Sequence, residues 1–188
     1  MRTGKRAIPE RRIARLRNPQ CSLCALCDST VNRCIMGRGN AQGSIALIGE
    51  APGEAESRTG KPFMGAAGQE LQKILQALDA EDEVYITNIC KCRPPNNRTP
   101  EECEKKVCMI QYGMPELEIV NPKAIVLLGK TASDMFAMDS RGIVEERLGW
   151  SCVATYHPAY YFYTGHNPAV LRCITSAIKL ARSVVRGV

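Results

Sequence analysis

Three side chains suited to catalysis each come at the end of an apolar, strand-like run. Glu50 follows Ser44–Ile48, Asn88 lies near the end of Val84–Ile89, and His157 follows a third such run. In open parallel sheets, ligands bind beyond the carboxyl ends of the strands. We therefore expect a carboxylate, an amide and an imidazole to meet at one edge of a sheet. The segments expected at this edge are Gly49–Gly65, Asn88–Arg98, the turn at Gly129, and His157 onward.

The glycine-rich segment after the first run is not a phosphate-binding loop. Such a loop needs the pattern G-x-x-x-x-G-K-[ST], because that spacing wraps backbone N–H groups around a phosphate. Six residues separate Gly53 from Gly60, and Lys61 is followed by proline. Gly129-Lys130-Thr131 has alanine where the upstream glycine is needed. We therefore do not expect hydrolysis of nucleoside triphosphates.

The same segment carries groups that suit a planar, polar ligand. Glu50 stands at the mouth of a strand, the Pro52-Gly53 turn can aim backbone N–H groups inward, and Phe63 supplies a flat ring. A nucleobase has the matching shape and polarity. Each group also has a structural alternative: Glu50 could cap a loop, Phe63 could pack beneath it, and Asn88 could bond its own backbone. His157 could likewise end a strand without chemistry.

The cysteines suggest a metal centre. The chain has ten cysteines and no secretory signal, and in a reducing compartment such cysteines point to metal, cluster or buried thiols. Cys21-x-x-Cys24, Cys92 and Cys108 could supply four thiolates, which suit either tetrahedral zinc or a cubane cluster. Cys24-x-x-Cys27 has the same ligand spacing, and Cys90 neighbours Cys92. The cysteines expected to be buried or incidental thiols are Cys34, Cys103, Cys152 and Cys173.

Strand-like and helix-like patterns alternate along the chain, which predicts an α/β fold. Each return to a parallel strand needs a crossover, usually a helix, so the sheet should be covered on both faces. We expect a three-layer α/β/α sandwich around a central, mostly parallel sheet of four strands. The predicted strands are Ser44–Ile48, Val84–Ile89, Ala124–Leu128 and Cys152–Tyr156. The predicted helices are Glu70–Leu78, one that starts with Thr99 as N-cap and is kinked at Gly113 and Pro115, Lys130–Met138, and one capped by Asn167.

Length and charge set the remaining expectations. A chain of 188 residues fits one domain, which we place at residues 19–188 after a basic extension of residues 1–18. Seven basic residues before Asn18 are opposed only by Glu10, so this extension is either a solvated terminus or an arm that contacts phosphates. No apolar run approaches the length of a membrane span. We expect a cytoplasmic protein.

Several short motifs, taken together and in order, resemble the iron-sulfur uracil-DNA glycosylases, or family four. Each motif alone is common, whereas the ordered set is specific, and the resemblance covers about Cys21 to Arg182. The motifs are Gly49-Glu50-Ala51-Pro52-Gly53, Thr59-Gly60-Lys61-Pro62-Phe63-Met64-Gly65, Tyr85-Ile86-Thr87-Asn88-Ile89, Lys91-Cys92-Arg93-Pro94-Pro95 and His157-Pro158-Ala159-Tyr160.

The resemblance implies an enzyme that removes uracil from DNA. Phe63 would stack on the flipped uracil, and Asn88 would pair its amide with O4 and N3–H of the base. The backbone around Ala51 and Gly53 would complete the pocket. His157 would stabilise the negative charge that develops on uracil O2.

The resemblance also implies how the reaction ends. Glu50 would favour the positively charged sugar or orient the attacking water. In relatives with a different motif the water-activating aspartate stands one residue later, where this chain has Ala51. No lysine of the motifs is placed as a Schiff-base nucleophile, so we expect a monofunctional hydrolase that leaves an abasic site for base excision repair.

Further implications concern the cofactor and the DNA. A [4Fe–4S] cluster held by Cys21, Cys24, Cys92 and Cys108 would tie the N-terminal segment to the sheet. Relatives carry leucine and arginine after the last motif, where this chain has Tyr161-Phe162-Tyr163, rings that could fill the gap in DNA, stack on single strands or pack on the last helix. The residues expected to contact DNA are Arg93, Tyr160 and Tyr161.

The expected partner is uracil-containing DNA, single- or double-stranded, with no membrane and with the protein acting as a monomer. A noncatalytic nucleic-acid-binding module and a redox sensor on the same scaffold are the alternatives. A further relative that traps DNA through a histidine is set aside, because Asn96-Asn97-Arg98 follows Pro95 without one.

Overall fold

A six-stranded sheet forms the centre of the molecule in this computed structural model, which describes residues 3–188 and side chains from Ile8 onward. The strands are Arg38–Gly39 (β1), Ile45–Gly49 (β2), Val84–Asn88 (β3), Ala124–Leu128 (β4), Val144–Arg147 (β5) and Trp150–Thr155 (β6). Their spatial order in the sheet is β1-β3-β2-β4-β6-β5.

The sheet has two more strands than the four predicted. The predicted strands are the four central ones and are mutually parallel, whereas β1 and β5 add to the two edges in antiparallel orientation. The edge strands lack the apolar pattern that marks a strand in sequence, because β1 has only two residues and β5 alternates exposed and half-buried positions. The expected α/β sandwich is otherwise confirmed.

The strand register brings the predicted site segments together. Gly49 at the end of β2 pairs with Asn88 at the end of β3, and Leu128 pairs with Thr155. Since these strands run in parallel, the residues that follow them leave the sheet at the same edge. The buried parallel strands thus place the four predicted site segments next to one another.

Helices cover both faces of the sheet. The helices are Thr3–Leu16 (α1), Glu54–Thr59 (α2), Ala66–Ala77 (α3), Glu102–Cys108 (α4), Met114–Val120 (α5), Lys130–Met135 (α6), Tyr160–Tyr163 (α7) and Pro168–Arg186 (α8). One face of the sheet packs against α1, α4, α5 and α6, and the other face packs against α3 and α8. Short 3-10 turns span Ala25–Ser29, Glu81–Glu83 and Pro95–Asn97, and a π-helical turn spans Met109–Gly113.

Helix α8 follows the prediction closely. Asn167 is its N-cap, with the side-chain oxygen accepting a hydrogen bond from Ala169 N at 3.0 Å. Ile174, Ile178 and Ala181 are buried on the inward face, as the helical spacing predicts. Because the amphipathic pattern of α8 is long, the sequence alone predicts both the helix and its buried face.

The helix predicted from Thr99 starts later. Glu101 is the N-cap of α4, and Glu104 closes the capping box by accepting a hydrogen bond from Glu101 N at 2.7 Å. Arg98 also donates to the Glu104 carboxylate, at 2.7 and 2.8 Å, which favours the later start. The expected kink at Gly113 is present as the π-helical turn between α4 and α5.

The basic N-terminal segment forms a helix that docks on the domain. Helix α1 contacts α5, and its Ile13 is buried in the core, whereas Ile8 is 58% exposed. Arg2 lies outside the described residues, as do the side chains of Lys5 and Arg6. Between residues 3 and 188 no helix is both long and apolar enough to cross a bilayer.

Candidate active site

A cavity of about 520 Å³ opens at the carboxyl edge of the sheet. This volume lies within the range of small-molecule pockets. The loops after β2, β3 and β6 form its walls, as the strand register requires. Every residue predicted for catalysis or base binding lines it: Glu50, Ala51, Gly53, Phe63, Asn88 and His157.

Phe63 forms one flat wall of the pocket. Its ring is buried and lies 5.7 Å from the His157 ring, at an interplanar angle of 32°. Gly49 permits this approach, since a Cβ there would lie 2.6 Å from both Phe63 Cζ and Asn88 Oδ1. The ring therefore lines the pocket and at the same time packs on the hydrophobic core under the loop.

Glu56 holds the Phe63 loop in place. Its carboxylate accepts hydrogen bonds from Gly53 N at 3.0 Å and from Met64 N and Gly65 N at 2.7 Å each. One buried anion thus joins the start of α2 to the segment that carries Phe63. The segment was predicted to be a loop throughout, and α2 inside it was not predicted. The only sequence signal is the capping-box spacing of Glu56 from Gly53.

Asn88 presents an unsatisfied acceptor to the pocket. Its Oδ1 is the one fully buried side-chain nitrogen or oxygen that lacks a hydrogen-bond partner among the described side chains. Such an atom costs about 1–3 kcal/mol when it is left unpaired. The backbone carbonyl of Asn88 is held in place by a hydrogen bond that it accepts from Lys91 Nζ at 2.8 Å. A ligand that donates a hydrogen bond to Oδ1 would remove this cost.

His157 is held as a neutral imidazole. Its Nδ1 accepts a hydrogen bond from Ala159 N at 3.1 Å, so the ring proton sits on Nε2. Burial lowers the pKa of His157 to about 4, against a smaller opposing effect of the Glu56 carboxylate. Gly129, at φ +90°, lets the neighbouring turn approach, since a Cβ there would lie 2.8 Å from His157 Cβ. At neutral pH, Nε2 is thus a hydrogen-bond donor without charge.

Glu50 stands between the main pocket and a smaller neighbouring cavity of about 270 Å³. Thr131 Oγ1 donates a hydrogen bond to its Oε2, and the Glu50 carbonyl accepts one from Cys90 N at 2.9 Å. Thr131 belongs to the Gly129-Lys130-Thr131 segment and was not predicted as a site residue. Its hydroxyl orients the carboxylate.

The residues expected to contact DNA divide into two groups. Tyr160 lines the pocket and is 45% exposed, whereas Tyr161 packs edge-on against His166 at 4.9 Å and joins the core beneath α8. Arg93 bonds Asn97 Oδ1 at 2.8 Å and lies 3.5 Å from Glu54, outside the pocket lining. Tyr163, one of the three rings considered for contact with DNA or for packing on the last helix, lies on the pocket rim and is 84% exposed.

A third, smaller cavity is surrounded by thiols. The predicted ligands Cys21, Cys24, Cys92 and Cys108 line it, and Cys27 and Cys34 do so too. No group of three or more potential ligands is close enough to hold a single metal ion within the described part of the chain. Cys90 lies outside the lining, which favours Cys92 over Cys90 at this position.

Two of the predicted ligand sulfurs accept backbone hydrogen bonds. Lys91 N donates to Cys108 Sγ at 3.2 Å, and Cys34 N donates to Cys92 Sγ at 3.5 Å. A hydrogen bond from the Cys90 thiol lowers the pKa of Cys108 against the effect of burial, and the positive charge of Lys91 also lowers it. Thiolate is the form that binds metal, and this hydrogen bond and this charge favour the thiolate of Cys108.

Comparison with known proteins agrees with this geometry. The family model of the uracil DNA glycosylase superfamily matches residues 36–179. A type-4 uracil-DNA glycosylase of Thermotoga maritima is 35% identical over 174 residues, which cover 87% of this chain and 90% of the relative. A type-4 enzyme of Archaeoglobus fulgidus is 41% identical over 159 residues, or 74% of this chain and 78% of the relative. Because the matches span most of the pocket-bearing domain, the chain belongs to the uracil DNA glycosylase superfamily and, within it, to the type-4 family.

Proposed function

We propose that the protein hydrolyses the N-glycosidic bond of uracil in DNA, releasing uracil and leaving an abasic site for base excision repair. The observation that carries this proposal is the buried, unpaired Oδ1 of Asn88 in a pocket bounded by Phe63 and His157. The curated relatives are named type-4 uracil-DNA glycosylases, which supports the same activity.

Base selection would depend on Asn88. Its Oδ1 can accept from uracil N3–H while the amide nitrogen donates to O4, with the base stacked on Phe63. Cytosine presents an acceptor at N3 and a donor at N4, so both hydrogen bonds would be lost. A well-placed bidentate pair discriminates by about 1–3 kcal/mol. The backbone around Ala51 and Gly53 would close the rest of the pocket.

His157 would stabilise the leaving base. As the glycosidic bond breaks, negative charge develops on uracil O2, and the Nε2–H of His157 can donate to it. A preorganised donor of this kind is worth about 10²–10³ in rate. Because the imidazole is neutral at neutral pH, the pocket avoids burying an unpaired cation before uracil arrives.

Glu50 would act on the other side of the scissile bond. With one oxygen fixed by Thr131, its carboxylate can favour the cationic sugar or orient the attacking water. Lys105 and Lys130 line the cavity beside it, and each is engaged by an acid, Glu102 and Asp134 respectively. This arrangement supports hydrolysis without a lysine nucleophile.

We infer that the thiol-lined cavity holds a [4Fe–4S] cluster on Cys21, Cys24, Cys92 and Cys108. The donor set is suitable, since it consists of cysteines with N–H···S bonds already made to two of them. The bound cluster would supply a covalent crosslink between the N-terminal segment, the loop after β3 and helix α4. Breaking a glycosidic bond requires no redox step, so we assign it a structural task.

The substrate would be uracil-containing DNA, single- or double-stranded, bound by a cytoplasmic monomer with no membrane association. Tyr160 would contact DNA at the pocket rim, and the exposed ring of Tyr163 is placed to join it. The contacts predicted for Arg93 and Tyr161, and the arm role of residues 1–18, stay predictions.

The direct test is cleavage of oligonucleotides that carry one uracil, followed by alkali to break abasic sites. We expect uracil-dependent scission by protein whose iron content and visible absorption are intact. Absence of scission under these conditions would contradict the proposal. DNA binding alone would favour a noncatalytic module, and cluster redox chemistry without selectivity for uracil would favour a sensor.

Asn88→Ala sharpens the test. Because the variant removes an unpaired buried acceptor, we expect little or no loss of unfolding free energy, together with a fall in kcat/KM of about 10²-fold or more as the uracil-specific hydrogen bonds are lost. A variant that is strongly destabilised would instead mark Asn88 as a structural residue at the end of β3. Thermal unfolding and excision kinetics on the same preparation separate the two.

A further inference from the structure

Three side chains form a stacked column beside the pocket. The rings of Tyr156 and Tyr160 are parallel within 6°, with their centroids 5.2 Å apart. The Arg141 guanidinium carbon lies 4.6 Å from the centroid of the Tyr156 ring. Arg141 and Tyr160 therefore both pack on the ring of Tyr156. We call this Arg141–Tyr156–Tyr160 arrangement the stacked column.

The stacked column lies along the carboxyl edge of the sheet, beside the pocket. Tyr156 precedes His157, and Tyr160 lines the pocket itself. Arg141 stands in the loop before β5, and the next residue, Gly142, donates to the Ala154 carbonyl at 3.0 Å near the end of β6. The column therefore leads from the pocket rim towards the β5 edge of the sheet.

The charge at the far end of the column is available to a partner. Arg141 is exposed and makes no ion pair with a carboxylate among the described side chains. The two acids of β5 are engaged elsewhere, Glu145 by Arg147 and Glu146 by the Ser151 hydroxyl. When a guanidinium stacks on an aromatic ring, its planar N–H donors are held in one orientation, which suits hydrogen bonding to a phosphate oxygen.

The near end of the column presents aromatic rings. Tyr160 is half-exposed, and Tyr163 beside it on the rim is 84% exposed. Ring faces next to a cation are the usual surface for unstacked nucleotides, because every base has a face to stack while the cation follows the backbone. In duplex DNA the base faces are already covered by their neighbours.

Resting on the uracil-excision function proposed above, we propose that the stacked column binds the single-stranded DNA that flanks the uracil. A base next to the flipped uracil stacks on the Tyr160–Tyr163 rim, and Arg141 contacts a phosphate further along the same strand. The column thereby favours single-stranded over duplex substrate at a surface that extends from the pocket rim to Arg141.

Arg141→Gln tests the proposal without touching the pocket. The matched control is Lys179→Gln, which removes one exposed positive charge from α8. For single-stranded uracil oligonucleotides of about fifteen nucleotides, loss of one phosphate contact should weaken binding about three- to tenfold and reduce the salt slope by about 0.7. A uracil substrate with one nucleotide on each side, and duplex DNA, should bind Arg141→Gln and wild type alike.

Fluorescence reports the stacking directly. With 2-aminopurine next to the uracil, on one side and then on the other, we expect quenching on binding for one of the two oligonucleotides, and less quenching with Tyr160→Leu. No quenching on either side, equal losses by Arg141→Gln on single strands and duplex, or an effect of Lys179→Gln as large as that of Arg141→Gln would overturn the proposal.

Binding of uracil-free single strands by anisotropy separates this proposal from the proposed function. If excision is absent but uracil-free single strands still bind more weakly to Arg141→Gln than to wild type, the DNA-binding role of the stacked column is supported and the enzymatic function is not. If excision is present and the Arg141→Gln effect is missing, only the column is overturned.

Discussion

Lys91 and Glu116 form an ion pair in the interior of the protein, with Nζ and Oε2 2.5 Å apart and side chains 1% and 0% exposed. Lys91 Nζ also donates to Thr87 Oγ1 at 2.7 Å and to the Asn88 carbonyl. The Glu116 carboxylate further accepts from Gly37 N, Tyr85 and Thr87 at 2.7–2.8 Å. Lys91 also lines the thiol-lined cavity, so the pair connects this cavity with the end of β3 from which Asn88 projects.

Lys91→Met should be strongly destabilising. The substitution leaves the Glu116 carboxylate buried without its cation, and breaking a buried pair from one side costs about 3–5 kcal/mol. Urea unfolding measures the change. Lys73→Met is the matched control, because Lys73 pairs with Glu70 on the exposed surface of α3 and should have little effect. Similar effects of the two substitutions would show that the interior pair is not a stabilising unit.

Glu56→Gln should lower activity through the position of Phe63. An amide cannot accept from all three backbone N–H groups, because its NH₂ must face at least one of them, so we expect a loss of about 1–3 kcal/mol in stability and about a tenfold lower kcat/KM. Glu118→Gln, on the exposed surface of α5, is the control. Unchanged kinetics in Glu56→Gln would mean that the carboxylate does not position the loop.

The low pKa of His157 predicts a stability effect in mild acid. The unfolded chain takes up a proton at this imidazole below about pH 6.5, whereas the folded protein does so only near pH 4. This group therefore lowers the free energy of unfolding as pH falls from about 6.5 to about 4, by up to about 3 kcal/mol, and has no effect above that range.

His157→Gln isolates this contribution. The stability of wild type minus that of the variant should be constant above about pH 6.5 and should decrease towards pH 4. Chemical denaturation across this range gives the difference, and the imidazole ¹⁵N shifts of wild type should show a neutral ring with its proton on Nε2 at pH 6. A difference that stays flat to pH 4 would show that the ring is not desolvated.

Serine substitutions distinguish the cysteine registers. We expect Cys21→Ser, Cys24→Ser, Cys92→Ser and Cys108→Ser to lower iron per protein and visible absorption, because each removes a thiolate ligand. Cys27→Ser and Cys34→Ser are matched controls, since they line the same cavity. Loss of iron in Cys27→Ser with retention in Cys21→Ser would move the ligand set to the Cys24-x-x-Cys27 register. Zinc in place of iron would contradict the cluster.

Much of the fold follows from local patterns. The buried runs of β2, β3, β4 and β6 are short and apolar, and α8 has a long amphipathic period with its own cap. Such signals depend on neighbours in sequence, so they predict strand, helix and the alternation that requires parallel pairing. Even the location of Glu50, Asn88 and His157 at one edge follows from that alternation.

Tertiary structure decided what depends on residues distant in sequence. The edge strand β5 exists because it pairs with β6, although its own pattern is weak. Glu56 and Thr131 were identified as site residues only from the folded structure, in which the loops meet. The sequence by itself determined the fold class and the chemical groups at the site, because these depend on local periodicity and residue type. Only the folded chain shows which carboxylate holds the loop, which tyrosine faces the pocket and which thiols share a cavity. These contacts depend on hydrogen bonds and burial between residues that are far apart in the sequence, and no sequence spacing predicts them.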